Sequence, residues 1–475
     1  MNKKTTDIFA NAPVPKAVIT NVIPSIVSML MVLVYNLADT FFIGQTKNPL
    51  MVAGVSVATP SFLIFMAIGM LFGIGGTSFI SRMLGEGNET KAKNASSFCF
   101  WTGIIIGTFA AAFMFFAARP ICMKIGASAD TIDYSAEYLS IVALSIPFLI
   151  ISNSFSNIIR AEGSPKIAML GMIVGNLVNI VLDPIMILTM DMGVAGAAWA
   201  TVLGNLCSAG IYLYHLIFKS NTLSLSPKYY SVGGGVARNV LLIGIPASLN
   251  SILMSLSNIL VNNLMSEYGD MAVAGLGVAM KVNMIVVMLL IGLGTGIQPL
   301  LGFCFGSGNR KRFMEVLKFS TLLALALSLV MTVICYCGAG PLVNAFLEDQ
   351  NAYSYGIMFA RTYIYSGPIM GIMFVFINAI QAIGAAFPAL ILNISRQGLV
   401  YIPVLFIFKS VFDSERMLAA AQPVTDYFSA IFSVILFVVN MNKYFNRQMD
   451  KLLVQHDGVK MLEGSSNENN KVEVL

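Results

Sequence analysis

The sequence of 475 residues predicts an all-α membrane protein: twelve transmembrane helices in two six-helix lobes, related by a pseudo-two-fold axis along the membrane normal. Three observations carry that prediction. Hydrophobic residues make up 57% of the chain and charged residues 11%, about half the charge of a typical soluble domain, and mean hydropathy is +0.80. Apolar runs long enough to cross a bilayer recur twelve times. The second six runs repeat the first six at an offset of 221 or 222. Ala53-Gly54-Val55 returns as Ala274-Gly275-Leu276, Gly85-Glu86-Gly87-Asn88 as Gly306-Ser307-Gly308-Asn309, and Pro147, Asn157, Ala161 and Gly163 as Pro368, Asn378, Ala382 and Gly384. An even number of spans separates equivalent positions, so both halves keep one membrane orientation. The expected organisation is an N-lobe (1–219), a flexible cytoplasmic linker (220–235) with three consecutive glycines, a C-lobe (236–446) and a polar tail (447–475) without fixed structure.

Each run has its own reason. The first, 16–43, carries Tyr35, Asn36 and Asp39; the first two are candidates for a cavity wall or for hydrogen bonds between helices. The second, 52–82, holds glycines from Gly69 to Gly76, and the eighth, 272–303, repeats them as Gly292, Gly294 and Gly296. No Lys-Ser/Thr follows either cluster, so close helix packing or helix bending is the better reading than a phosphate loop. The third run is 95–118, and the fourth, 136–160, places Asn153 and Asn157 one turn apart on one face. The fifth, 167–189, is the most informative. Asn176, Asn179 and Asp183 fall at i, i+3 and i+7, on one side of a helix, with Pro184 next. An acid in hydrocarbon is costly enough to mark an ion or proton path more often than a plain interhelical contact, and neighbouring amide oxygens suit a cation. The sixth, 194–218, contains Thr201 and Asn205.

In the second half the seventh run, 237–265, offers Asn250, Asn258, Asn262 and Asn263, with Glu267 only past its outer end. Lys281 lies in the eighth, the ninth is 315–340, Arg361 lies in the tenth (355–382), and Arg396 in the eleventh (387–411). Asp426, in the twelfth (417–441), aligns with Asn205. A lone charge at that depth is expensive, so Asp426 is expected to pair with Arg396 or Lys281.

Loop charges predict the orientation. The flanks on the side of the termini hold Lys3, Lys4, Lys16, Arg82, Lys91, Lys93, Arg160, Lys166, Lys219, Lys228, Arg238, Arg310, Lys311, Arg312, Lys443, Arg447 and Lys451; the opposite side holds Lys47, Arg119, Lys124, Lys409 and Arg416. Both termini are therefore expected in the cytoplasm, with Arg82, Arg160 and the Arg310-Lys311-Arg312 cluster as positive-inside anchors. The net charge of +5 then follows from topology and calls for no nucleic-acid partner. Six scattered cysteines and two histidines have no metal-ligand spacing, so they point to no metal centre or cofactor. No nucleophile–base constellation points to an enzyme, and no filter-like loop points to a channel.

Over nearly its whole length the chain resembles the multidrug and toxic compound extrusion (MATE) family, in its bacterial drug-efflux branch. The resemblance rests on Asp39-Thr40-Phe41-Phe42-Ile43-Gly44, Ile80-Ser81-Arg82-Met83-Leu84-Gly85, Arg160-Ala161-Glu162-Gly163, Leu182-Asp183-Pro184, Ser395-Arg396-Gln397-Gly398 and Gln422-Pro423, in that order and spacing. It implies a V-shaped pair of bundles in the bacterial plasma membrane, exporting organic, often cationic compounds in exchange for inward H⁺ or Na⁺. It places the N-lobe cation site on Asp39, Asn157, Asn179, Asp183 and Thr201, with Asn153 as a second-line member, and makes Pro24 the point where the first helix bends. Two acids in one lobe can hold a cation or share a proton. Some members use acids in the seventh span, where this sequence has asparagines. Asn176 and Asn205 join Tyr35 and Asn36 as cavity candidates. The expected partners are drugs or metabolites and membrane lipids, for a protein acting as a monomer. A flippase for lipid-linked precursors is the alternative that Lys281, Arg361 and Arg396 keep open; a membrane-embedded lipid-modifying enzyme is more distant.

Overall fold

The computed structural model describes residues 7–45, 48–347 and 349–472, without the side chains of Asp7, Thr40, Ile43, Gly44, Thr59, Pro60 and residues 455–472. Lys3, Lys4 and Lys47, counted above, lie outside the described residues. Among the described residues, ten helices are long and apolar enough to cross a membrane, and two bent pairs bring the total to twelve.

The N-lobe comprises Val14–Gln45, Pro49–Gly85, Glu89–Ile125, the pair Ile132–Ala143 and Ile146–Ala161, Pro165–Thr189 and Gly193–Phe218. The C-lobe comprises Val236–Met265, Asp270–Gly306, Arg310–Cys337, the pair Gln350–Ile364 and Gly367–Ala382, Ala386–Phe412 and Glu415–Val472, with a short helix Ala339–Asn344 after its third span. The repeat is visible in the details. The second and eighth spans each have 37 residues. The fourth bends by 56° and the tenth by 49° at breaks followed by Pro147 and Pro368. A proline near the start of the second segment tolerates its missing N–H there and would not in mid-helix. The turn after the second span uses Gly87 at φ 75° and Asn88, whose side chain accepts from Lys91 N at 3.0 Å. The turn after the eighth repeats it with Gly308 at φ 69° and Asn309 accepting from Arg312 N at 2.9 Å. The fifth and eleventh spans both turn from α to π geometry, at Pro184–Thr189 and Ser395–Leu399.

The lobes meet along the first, second, seventh and eighth spans, near the side that holds the chain ends. The glycine clusters build this seam: Gly75 faces the Val240 carbonyl, Gly296 faces Val22, Gly292 faces Ile26 and Gly244 faces the Leu71 carbonyl. At its end Gly85 lies on the Phe303 carbonyl and Gly306 on the Arg82 carbonyl. These two pairs exchange under the 221-residue offset, so the pseudo-two-fold axis passes between the second and eighth spans. The close-packing reading of the glycines is what the structure shows.

Three expectations change. The linker, read as flexible, is pinned to the N-lobe over its first half. Ser96 Oγ donates to Ser224 O at 3.0 Å, Ser97 Oγ to Ser226 O at 2.9 Å and Trp101 Nε1 to Leu225 O at 2.9 Å. Bundle side chains take up the linker's backbone carbonyls, and Ser220 and Thr222 donate to the Glu162 carboxylate of the bundle. The tail, read as unstructured from residue 447, is docked at its start: Gln448 Nε2 donates to Gly306 O at 3.0 Å and to Glu86 Oε1 at 2.9 Å, and Lys451 Nζ lies 2.7 Å from Glu86 Oε1. Arg160 is no head-group anchor; it is 1% exposed, inside the N-lobe, with Nη1 donating to Asn157 Oδ1 at 2.9 Å. Arg82 is half-buried, with Nε donating to Ser78 O at 2.9 Å.

Candidate cation-coupling site

In the N-lobe the site starts from the end of the fifth α-helix. Asp183 is its last α-helical residue, and Pro184 then brings no N–H and opens the π segment. The Asp183 side chain is fully buried. Asn179, one turn earlier and 2% exposed, stands between Asp183 and Thr201 of the sixth span. With its amide nitrogen turned to the acid, Nδ2 donates to Asp183 Oδ2 at 3.0 Å and Oδ1 accepts from Thr201 N at 3.1 Å. The reverse orientation gives only Nδ2 to Thr201 Oγ1 at 3.3 Å and sets oxygen against oxygen, so the first is the better assignment. Thr201 Oγ1 in turn donates to Ala197 O at 3.0 Å.

The first span adds Asp39, and one turn before it Tyr35, within electrostatic reach of Asp39 and Asp183. The fourth span adds Tyr138, 9% exposed and within electrostatic reach of Asp39, Tyr35 and Asp183. Asp39 Oδ1 and Asp183 Oδ1 are both buried and accept no hydrogen bond among the described residues. A buried carboxylate oxygen without a donor is costly, and its natural complement is a proton or a small hard cation. Two carboxylates beside the hydroxyls of Thr201 and Tyr35 bring together oxygens of the type that suits Na⁺ or H⁺, while the Asn179 oxygen is engaged by Thr201 N.

Not all sequence candidates join it. Asn153 Nδ2 donates to Leu149 O at 3.1 Å, and Asn157 Nδ2 to Asn153 O at 3.0 Å while its oxygen holds Arg160. Asn157 lies one turn from the end of its helix near the chain termini, whereas Asp183 lies five turns into the next helix, roughly 20 Å farther along at 1.5 Å per residue. Spacing on each helix was right; relative depth was not. Asn176 and Asn205 are half-exposed, a turn deeper than Asn179 and Thr201, and Asn176 Nδ2 is buried without an acceptor among the described residues. Asn36 is exposed.

The C-lobe differs. Asp426 is fully buried, and it is saturated: Arg396 Nε and Gln422 Nε2 each donate to Oδ1 at 3.1 Å, and Ser366 Oγ to Oδ2 at 3.0 Å. The pairing with Arg396 is the expected one. Ser366 sits in the break of the tenth span, so the ion pair also holds that bend. Lys281 and Arg361, read as charges at depth, have exposed side chains that rest on aromatic rings. Lys281 Nζ is 5.3 Å from the Phe346 centroid and the Arg361 guanidinium 5.2 Å from that of Tyr336.

Two features were missed in the sequence. Tyr138 gave no signal, since tyrosine is ordinary in an apolar run. Glu162 did give one, inside Arg160-Ala161-Glu162-Gly163, near the one histidine in the spans. Its buried carboxylate accepts from Thr222 Oγ1 at 2.8 Å and from Ser220, and lies 3.1 Å from His215 Nε2.

Known proteins agree with this architecture. The MatE family model matches residues 24–185 and again 246–407, one copy per lobe. The multidrug export protein MepA of Staphylococcus saprophyticus is 30% identical over 404 residues, spanning 85% of this chain and 89% of that protein. A MATE crystal structure in complex with MaL6 superposes with a TM-score of 0.88 at 22% identity, covering 95% of this chain and 100% of that one. An outward-facing multidrug resistance MATE transporter of the MOP superfamily gives 0.87 at 23%, covering 95% and 99%. With the doubled family match, the relative at this identity over most of both chains and the shared two-lobe fold, the chain belongs to the MatE family, the multidrug and toxic compound extrusion transporters.

Proposed function

We propose that this chain is a secondary-active antiporter of the plasma membrane that exports organic, cationic amphiphiles in exchange for inward H⁺ or Na⁺, bound at Asp39 and Asp183. One observation carries the reading. In the N-lobe Asp183 is fully and Asp39 partly buried, and each keeps a buried oxygen that accepts no hydrogen bond among the described residues, whereas Asp426 of the C-lobe is paired with Arg396. The N-lobe alone has capacity for one more positive charge. Asn179 and Thr201 complete the site from the fifth and sixth spans, Tyr35 and Tyr138 close it from the first and fourth, and Asn36, Asn176 and Asn205 line the path to the drug cavity between lobes. The export role is supported by MepA, which is named a multidrug export protein.

A bound cation biases the transport cycle only by differing in affinity between the two global states. Neutralising Asp183 or Asp39 removes the repulsion between them and lets the first span settle against the fifth, with Pro24 as the bending point. Each chain contains both lobes and works as a monomer, both termini cytoplasmic. Purified protein in liposomes, loaded with ethidium and given an imposed H⁺ or Na⁺ gradient, tests this. One gradient should drive export by the native chain, and Asp183→Asn should reduce that drive between about 5- and 150-fold, the usual range for coupling between two sites. Full coupling in the variant would make Asp183 structural, and no export under either gradient would move anionic or lipid-linked substrates to the front.

A further inference from the structure

Each lobe is entered through a short segment that is fastened to the opposite lobe. The residues before the first span lead into the N-lobe, yet Phe9 is fully buried against Phe303 of the eighth span, ring centroids 5.6 Å apart. Arg312 of the ninth span clamps the same segment: Nε donates to Phe9 O and Nη2 to Ala12 O, both at 2.7 Å. The linker leads into the C-lobe, yet it lies on the third span of the N-lobe through Ser96, Ser97 and Trp101, and Tyr230 packs on Phe98 at 6.1 Å. Phe9 and Tyr230 are equivalent by the 221-residue offset, so the arrangement is part of the duplication. Glu86 of the N-lobe adds a third tie, to Gln448 and Lys451 of the C-lobe.

We propose that the two lead-in segments are reciprocal straps that hold the lobes together on the side of the chain ends, and that opening on that side requires the N-terminal strap to let go. Chain length decides which strap matters more. Ala12 is two residues from Val14, where the first helix begins, so a separation of more than about 7 Å must break the Arg312 bonds. Tyr230 is six residues from Val236, and Gly234 and Gly235, at φ 62° and 80°, lie in between. That tether spans up to about 20 Å before it pulls on the N-lobe. The Arg312 clamp is therefore the taut strap and the linker the slack one. The proposal rests on lobe geometry and is independent of which compound or ion is carried.

Hydrogen exchange on the full-length protein in nanodiscs tests it, comparing the native chain with Arg312→Gln, Arg312→Lys, Phe9→Ala and Trp101→Phe. Losing two charge-assisted hydrogen bonds should speed exchange about tenfold or more, both in the strap at 8–13 and in the seam at 78–86 and 300–306. Arg312→Lys should restore part of the protection, and Trp101→Phe should leave the seam nearly unchanged because its strap has slack. Phe9→Ala keeps the arginine and gives the same reading should Arg312→Gln fail to fold. If strap exchange rises while the seam stays protected in both Arg312→Gln and Phe9→Ala, the segment merely anchors the terminus and the proposal fails.

Discussion

Asp183 and Asp426 are both fully buried acids inside apolar runs, and their surroundings make opposite uses of them. Asp426 accepts three hydrogen bonds, one from a buried guanidinium, so its charge is spent inside the protein. Asp426→Ala should cost about 3–5 kcal/mol, because it leaves Arg396 buried and unpaired, and the melting temperature in detergent should fall accordingly. Replacing the pair together by Asp426→Leu and Arg396→Met should recover most of that loss. A single variant that melts like the native chain would mean the pair contributes nothing to the fold. Asp183 has one donor and one oxygen without any, an arrangement suited to a group that changes its charge. Both acids were legible in the sequence, since a charge inside an apolar run stands out. Tyr138 was not, and Asn157 was legible as a polar group but placed in the wrong site, because helical periodicity orders residues around one helix and not between helices.

The first span keeps its helix through an internal proline. It runs unbroken over Val14–Gln45 although Pro24 deprives it of one backbone hydrogen bond. Neighbouring side chains take up local carbonyls: Asn21 Nδ2 donates to Ala17 O at 2.8 Å, Ser25 Oγ to Asn21 O at 2.9 Å and Ser28 Oγ to Pro24 O at 2.8 Å. Such side-chain bonds compete with the backbone ladder and ease bending. Pro24→Ala restores the missing donor, so the variant should melt at the same or a higher temperature yet transport more slowly, as dye efflux from liposomes would report. Unaltered transport would place the bending point elsewhere. The proline and the twelve spans were readable in the sequence. The π segments, the docked linker and the docked start of the tail were not, because each depends on what the neighbouring helices offer to polar groups.

For the whole molecule the duplication matters most where the two copies touch. Gly85 and Gly306 occupy one crossing, each with its missing Cβ over a carbonyl of the other helix, Phe303 for the first and Arg82 for the second. An alanine at either position must push the second and eighth spans apart, at the 1–3 kcal/mol or so typical of overpacking. Symmetry makes the two costs nearly equal. It also makes them overlap, because a crossing already widened by one methyl accepts the second more easily. The double variant Gly85→Ala/Gly306→Ala should therefore lose less stability than the sum of the single variants, by about 0.5–3 kcal/mol in a double-mutant cycle of denaturation. Strict additivity would show that each site relaxes locally and that the lobes do not share this contact as a single hinge. A deficit in the cycle, with matched single costs, would identify the crossing on the pseudo-two-fold axis as the place where the lobes pivot together.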